Sequence, residues 1–240
     1  MGISRQRLAA NLSAVRDRIA EACRRARRRP EDVRLVAVTK SAGDDAVRDM
    51  VALGQMDLAE SRVQQLTERA AALQVWLAKQ PPDRPRVRWH MVGRLQRNKV
   101  RPCLTAAEVI HSVDSLRLAE EINLRADREG RVVECMMEVN CANEPQKSGV
   151  AVGAADHLAE QISTLRCIRL TGLMTMAPLV ADPEDARFAF ARLREMFEEM
   201  RNDKIGGKHF CHLSMGMSND FEVAVEEGAT LVRIGTALFE

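Results

Sequence analysis

The chain has 240 residues, 46% of them hydrophobic and 29% charged, enough for one sizeable core or two small ones. Its formal net charge is only +2, so no strong field steers it towards nucleic acid or membrane, and no apolar run approaches the roughly 20 residues of a membrane span. Apolar and charged residues interleave from Ile3 onward, unlike a signal peptide, and the six cysteines (23, 103, 135, 141, 167 and 211) form no C-x-x-C, so a cytoplasmic protein with reduced thiols is expected.

A first helix is predicted over 4–28. It ends in the basic run Arg24-Arg25-Ala26-Arg27-Arg28-Arg29, and Pro30 stops it. No aromatic residue interleaves that run to stack on bases, so it reads as a solvated helix end and no nucleic-acid partner is expected. Strands follow at 33–39, 56–60, 87–93, 108–113, 132–140, 168–175, 209–214 and 231–235. Helical patterns lie between them near 44–53, 61–79, 95–103, 115–129, 153–165, 184–203 and 219–227. The stretch Pro81-Pro82-Asp83-Arg84-Pro85 reads as a loop before the third strand. Eight apolar strands alternating with helices predict an α/β fold, a single (β/α)8 TIM barrel with an extra N-terminal helix and one domain over 1–240. An open doubly wound sheet would carry a Gly-rich turn after its first strand, and Thr39-Lys40-Ser41-Ala42-Gly43 is not G-x-G-x-x-G.

Barrel chemistry gathers at the C-terminal ends of the strands, with phosphate often bound after the last two. Lys40 ends the first strand. Its amine suits a Schiff base, because burial there would favour the neutral nucleophile; the competing reading is an ordinary charge reaching solvent. The seventh strand runs into Ser214-Met215-Gly216-Met217-Ser218, and the eighth into Arg233-Ile234-Gly235-Thr236. Glycines and hydroxyls at a helix start suit an anion, although Asn219 and Glu222 also read as a capping box on a plain turn. Arg233 sits in an apolar strand and needs an acceptor, either a ring nitrogen or a carboxylate such as Glu60. A lysine, a phosphate cradle and an arginine around one pocket suggest pyridoxal 5′-phosphate (PLP): aldehyde to Lys40, phosphate to the glycines, pyridine nitrogen to Arg233.

Leu35 to Lys40, Trp89 to Lys99 (W-H-M-V-G-R-L-Q-R-N-K), His111 to Asp114, Glu138 to Asn140 with Glu144 and Lys147 to Gly149, Gly172 to Met174, Leu213 to Asp220 and Val232 to Phe239 occur in the order of one known family. In these segments the chain resembles the pyridoxal phosphate homeostasis proteins, the YggS/PROSC family. The resemblance implies a fold-type III barrel like the alanine racemase N-terminal domain. It implies an internal aldimine on Lys40, a phosphate held by Ser214, Gly216, Ser218, Gly235 and Thr236, and Arg233 facing the pyridine nitrogen. It places His90 and Lys147 at the barrel mouth. One stretch departs: the family's F-G-E-N-Y-V-Q-E is here Leu58 to Gln65, with Ser61 and Arg62 at the asparagine and tyrosine positions.

An arginine beside the ring nitrogen discourages its protonation and weakens the ring as an electron sink. A racemase of the alanine racemase type needs a second base opposite the lysine, a tyrosine from another domain. This sequence has no tyrosine and ends just past its eighth strand, leaving Cys141 or His90 as substitutes. The expectation is a monomeric carrier that holds, buffers or delivers PLP, with apo PLP-dependent enzymes as recipients and no catalytic residue or metal assigned. The alternatives are a weak fold-type III amino-acid racemase or lyase, and then a Schiff-base aldolase that uses Lys40 alone.

Overall fold

The computed structural model describes residues 2–81, 86–144 and 146–240, so most of the predicted loop at 81–85 lies outside the described residues. Helix α1 (Arg5–Arg25) is capped by Ser4, whose Oγ accepts from the Arg7 N–H at 3.2 Å. Its apolar residues recur every three or four positions, and Leu8, Leu12, Val15, Ile19, Ala22 and Cys23 are all buried. The helix ends three residues before its predicted end. Arg27 takes a left-handed φ of 54°, and Arg28 turns back to donate to the carbonyls of Val225 and Ala229 at 2.6 and 2.8 Å. Arg25 pairs with Glu226 at 2.6 Å and Arg29 with Asp32 at 2.8 Å, so much of the basic run is spent on holding the fold.

Eight parallel strands close into a barrel: β1 (Arg34–Val38), β2 (Asp57–Glu60), β3 (Arg88–Met91), β4 (Val109–Val113), β5 (Val133–Asn140), β7 (Ile168–Met174), β8 (His212–Ser214) and β9 (Leu231–Ile234). A two-residue strand, β6 (Val150–Ala151), adds to β5 outside the ring. Pairing of β1 with β9 and of β4 with β5 completes the closure. Helices α2 (Asp44–Ala52), α3 (Val63–Leu77), α4 (Val100–Leu104), α5 (Leu116–Arg128), α6 (Ala155–Ser163), α7 (Arg187–Asn202) and α8 (Phe221–Glu226) follow the strands, and α9 (Thr236–Phe239) ends the chain. No helix among the described residues is long and apolar enough to cross a membrane.

Strand alternation sorts the core into two parts. Leu35, Ala37, Leu58, Met91, Ile110 and Val232 face the helices in one large cluster. Val36, Val38, Ala59, Val109, Met136, Met174 and Leu231 face inward and fill the lumen. Phe190, Phe210 and Phe221 are among the largest fully buried side chains, each worth about 1.5–3 kcal/mol of burial. Five of the six cysteines are buried, and Cys211 is exposed.

Candidate functional site

Inward parity carries Val36 and Val38 on to Lys40, which stands at the mouth of the barrel just past the end of β1. The turn that bears it is latched from outside: Arg69 on α3 donates to the carbonyls of Thr39 and Ala42 and pairs with Glu60 at 2.9 Å, while the Thr39 hydroxyl donates to Glu60 at 2.5 Å. Lys40 itself is exposed and makes no ion pair or hydrogen bond among the described residues. Of the two readings of Lys40, the amine that reaches solvent is the one the structure shows, and it stands on the cavity rim.

Opposite it, the loop after β8 is tied down from within. Asp220 Oδ1 accepts from the Met217 N–H at 2.6 Å, and Ser218 Oγ accepts from the Ala237 N–H at 3.2 Å, which stitches this loop to α9. The predicted capping box does not form, because α8 begins at Phe221 and Glu222 reaches Arg18 at 2.8 Å. Ser218, Gly235 and Thr236 keep backbone amides that no other described group occupies. Gly216 has φ 93°, and a Cβ there would lie 2.6 Å from the Ala224 Cβ, so its glycine serves the packing of the loop on α8.

Arg233 is buried in the lumen. It donates to Ser214 Oγ at 2.7 Å and to the Thr175 carbonyl at 2.9 Å, with further guanidinium donors left over. Glu60 is not its partner, since Ala59 faces the lumen and Glu60 therefore points outward to α3. Burial pulls the Arg233 guanidinium down to about 10, opposed by the charges of Asp220 and Glu138. Burial also lifts the Asp220 carboxyl above the ordinary range, against its hydrogen bond from Met217.

These elements enclose a cavity of about 310 Å³ lined by Lys40, Ser61, Ser218, Arg233, Gly235 and Thr236 among others. Five of the seven predicted site residues thus meet in one place. Ser214 and Gly216 do not line it: Ser214 is fully buried with its hydroxyl between His111 and Arg233, and Gly216 packs against α8. Ser61 takes the departing family position into the cavity wall, whereas Arg62 is exposed at the start of α3. Gly93 lets Ser61 lie across the end of β3, where a Cβ would come within 2.1 Å of the Ser61 carbonyl oxygen. A larger groove of about 750 Å³ between α3 and β3 gathers none of the predicted site residues.

His90 is not at the mouth but fully buried within the lumen, bonded to Asp57. Lys147 does reach the rim, donating to the Ala177 carbonyl at 2.9 Å and pairing with Glu144 at 2.9 Å, so it ties two mouth loops together. Cys141 is buried, and burial pushes its thiol up to about 11. Sequence reasoning missed Asp220 and the lumen chain behind Arg233, which joins strands distant in sequence and has no local motif.

The family described as the alanine racemase N-terminal domain matches residues 10–240. A pyridoxal phosphate homeostasis protein of Aquifex aeolicus is 39% identical, with 95% of each chain covered. One of Pseudomonas aeruginosa is 38% identical, covering 97% of this chain and 94% of its own. PipY of Synechococcus elongatus, solved with PLP bound, superimposes with a TM-score of 0.83 at 32% identity, covering 97% of this chain and 100% of its own. The chain belongs to the pyridoxal phosphate homeostasis proteins, built on the alanine racemase N-terminal domain.

Proposed function

We propose that this protein binds PLP at the barrel mouth and serves intracellular PLP homeostasis by holding, buffering or delivering it. The observation that carries the reading is the meeting of a free amine, a buried guanidinium and a set of unoccupied amides and hydroxyls in one cavity. That donor set fits the cofactor's three polar ends, and the PLP-bound PipY, of near-equal length and the same fold, supports the assignment.

When bound, the cofactor supplies an aldehyde that a primary amine captures, and a ring that withdraws electrons. Lys40 provides the amine. Ser218, Gly235 and Thr236 donate hydrogen bonds to the phosphate, with Ser218 Oγ keeping its proton free because it accepts from Ala237. Ser214 and Gly216 act from behind, Ser214 by seating Arg233 and Gly216 by shaping the loop. Arg233, which lines the cavity, would offer a donor to the ring nitrogen and so keep a proton off it, which would limit how much charge the ring can draw. An amine open to solvent suits a cofactor that must leave again. Neither Cys141 nor His90 lines the cavity, so neither offers a second base opposite Lys40.

The same reading treats residues 1–240 as one PLP-binding domain of a cytoplasmic monomer, with apo PLP-dependent enzymes as recipients. The test is α-proton exchange. Loaded protein is incubated with L-alanine or L-serine in deuterated water, and no exchange at enzyme-like turnover is expected. Exchange at about 1 per second or faster would favour a racemase instead.

A further inference from the structure

Five lumen side chains form a continuous chain of hydrogen bonds from the bottom of the barrel to the cavity. Asp57 Oδ1 lies 2.9 Å from His90 Nε2, and His90 Nδ1 lies 2.8 Å from His111 Nε2. His111 Nδ1 lies 2.8 Å from Ser214 Oγ, which accepts from Arg233 Nη1 at 2.7 Å. They come from β2, β3, β4, β8 and β9, and the two histidines and Ser214 are fully buried. Asp57 opens to solvent at the far end, on a groove of about 420 Å³ that it shares with Arg34.

The two ends fix the direction of every bond between them. Arg233 can only donate, so Ser214 Oγ accepts from it, and the Ser214 hydroxyl donates its hydrogen bond to His111 Nδ1. His111 then carries its proton on Nε2 and donates to His90 Nδ1. His90 in turn carries its proton on Nε2 and donates to the Asp57 carboxylate. The opposite sense would point an unprotonated His90 nitrogen at a carboxylate and leave the Ser214 proton buried without an acceptor. Burial works to raise the Asp57 carboxyl, yet the bond from His90 together with the charges of Arg34 and Arg88 holds it low, so it serves as the accepting anion. Burial holds both histidines below the ordinary histidine range, His111 well below it, which keeps them neutral.

We propose that Asp57, His90, His111 and Ser214 are a one-way donor relay that seats Arg233 against the cavity, making Asp57 a positioning residue for the cofactor ring from the opposite end of the barrel. This rests on the cavity being the PLP site. Each link orients the next, and the anion at the bottom polarises the whole chain towards itself. Ser214 is thereby held as an acceptor, so the guanidinium spends one face on Ser214 and Thr175 and turns the rest to the cavity.

The experiment has two arms, each run on wild type, Asp57→Asn and Ser214→Ala. Histidine-selective 15N NMR of cofactor-free protein should show both rings neutral and protonated at Nε2 in wild type. Asp57→Asn should shift the His111 nitrogens as well as those of His90, and Asp57→Glu should restore them. In the second arm, PLP titration should show both variants weakened by about tenfold, the scale of one hydrogen bond to a charged group, with the visible band displaced. A ring protonated at Nδ1, a cationic ring at neutral pH, or variants with wild-type band and affinity would each overturn the relay. Wild-type protein with the expected tautomers but no cofactor band would instead overturn the cofactor assignment on which it rests.

Discussion

Glu138→Gln should stabilise the protein at alkaline pH and leave it nearly unchanged in acid. Glu138 lies on β5 facing the lumen, is 2% exposed, and takes no side-chain hydrogen bond from the described residues. Burial and the nearby Asp114 push its carboxyl up from 4.5 to about 7, against the pull of Arg233 and Arg94. That rise is worth about 3 kcal/mol at about 1.4 kcal/mol per pH unit. Between pH 4.5 and about 7 the folded chain holds a proton on Glu138 that the unfolded chain has released, so stability from this group falls as pH rises through that window. Below it both states are protonated and the term vanishes. The buried histidines titrate in the opposite sense, but they are common to both proteins and cancel in the difference. Urea unfolding of cofactor-free wild type and variant at pH 4.5 and pH 8 reads the effect. The variant should gain about 3 kcal/mol on wild type between the two. A difference that stays constant with pH would refute a protonated carboxylic acid in the lumen.

Arg69→Ala should cost about 3 kcal/mol, because it leaves the buried Glu60 carboxylate without its cation and frees the Thr39 and Ala42 carbonyls. A lowered midpoint in urea, with weaker PLP retention from the unlatched Lys40 turn, checks it. Gly216→Ala should cost about 1–3 kcal/mol, since a side chain at φ 93° would meet Ala224 at 2.6 Å. Equilibrium dialysis should show its PLP affinity reduced with the attachment point unchanged. Lys40→Ala should unfold within about 0.5 kcal/mol of wild type, because the side chain is exposed and unpartnered.

The barrel was legible because its strands announce themselves twice, as apolar runs of strand length and by regular alternation with helices. Boundaries slipped where side chains outside the periodic pattern decided them. Arg28 binds the carbonyls beyond α8 and so ends α1 early, and Asp220 bonds the Met217 amide and so delays the start of α8. At the site, the residues that approach the cavity through short local runs were readable: Lys40 at a strand end, Ser218 in its turn, Gly235 and Thr236 after β9. Ser214 stands behind the cavity rather than on its wall, because strand parity turns its hydroxyl into the lumen while its motif neighbours line the loop. His90 was misplaced for the same reason, as parity on β3 sends it inward between Trp89 and Met91, which face the helices. The Asp57 to Arg233 chain joins positions up to 176 residues apart, and only barrel closure brings them together.

The central claim is that Lys40 and the cavity beside it take up PLP. Dialysed protein is titrated with PLP, its visible spectrum is recorded, and the complex is reduced with borohydride and mapped by peptide mass. A new visible band with the pyridoxyl group on the Lys40 peptide alone is the expected result. No band, or label spread over Lys79, Lys99, Lys147, Lys204 and Lys208, would contradict the account and remove the cavity as the cofactor site.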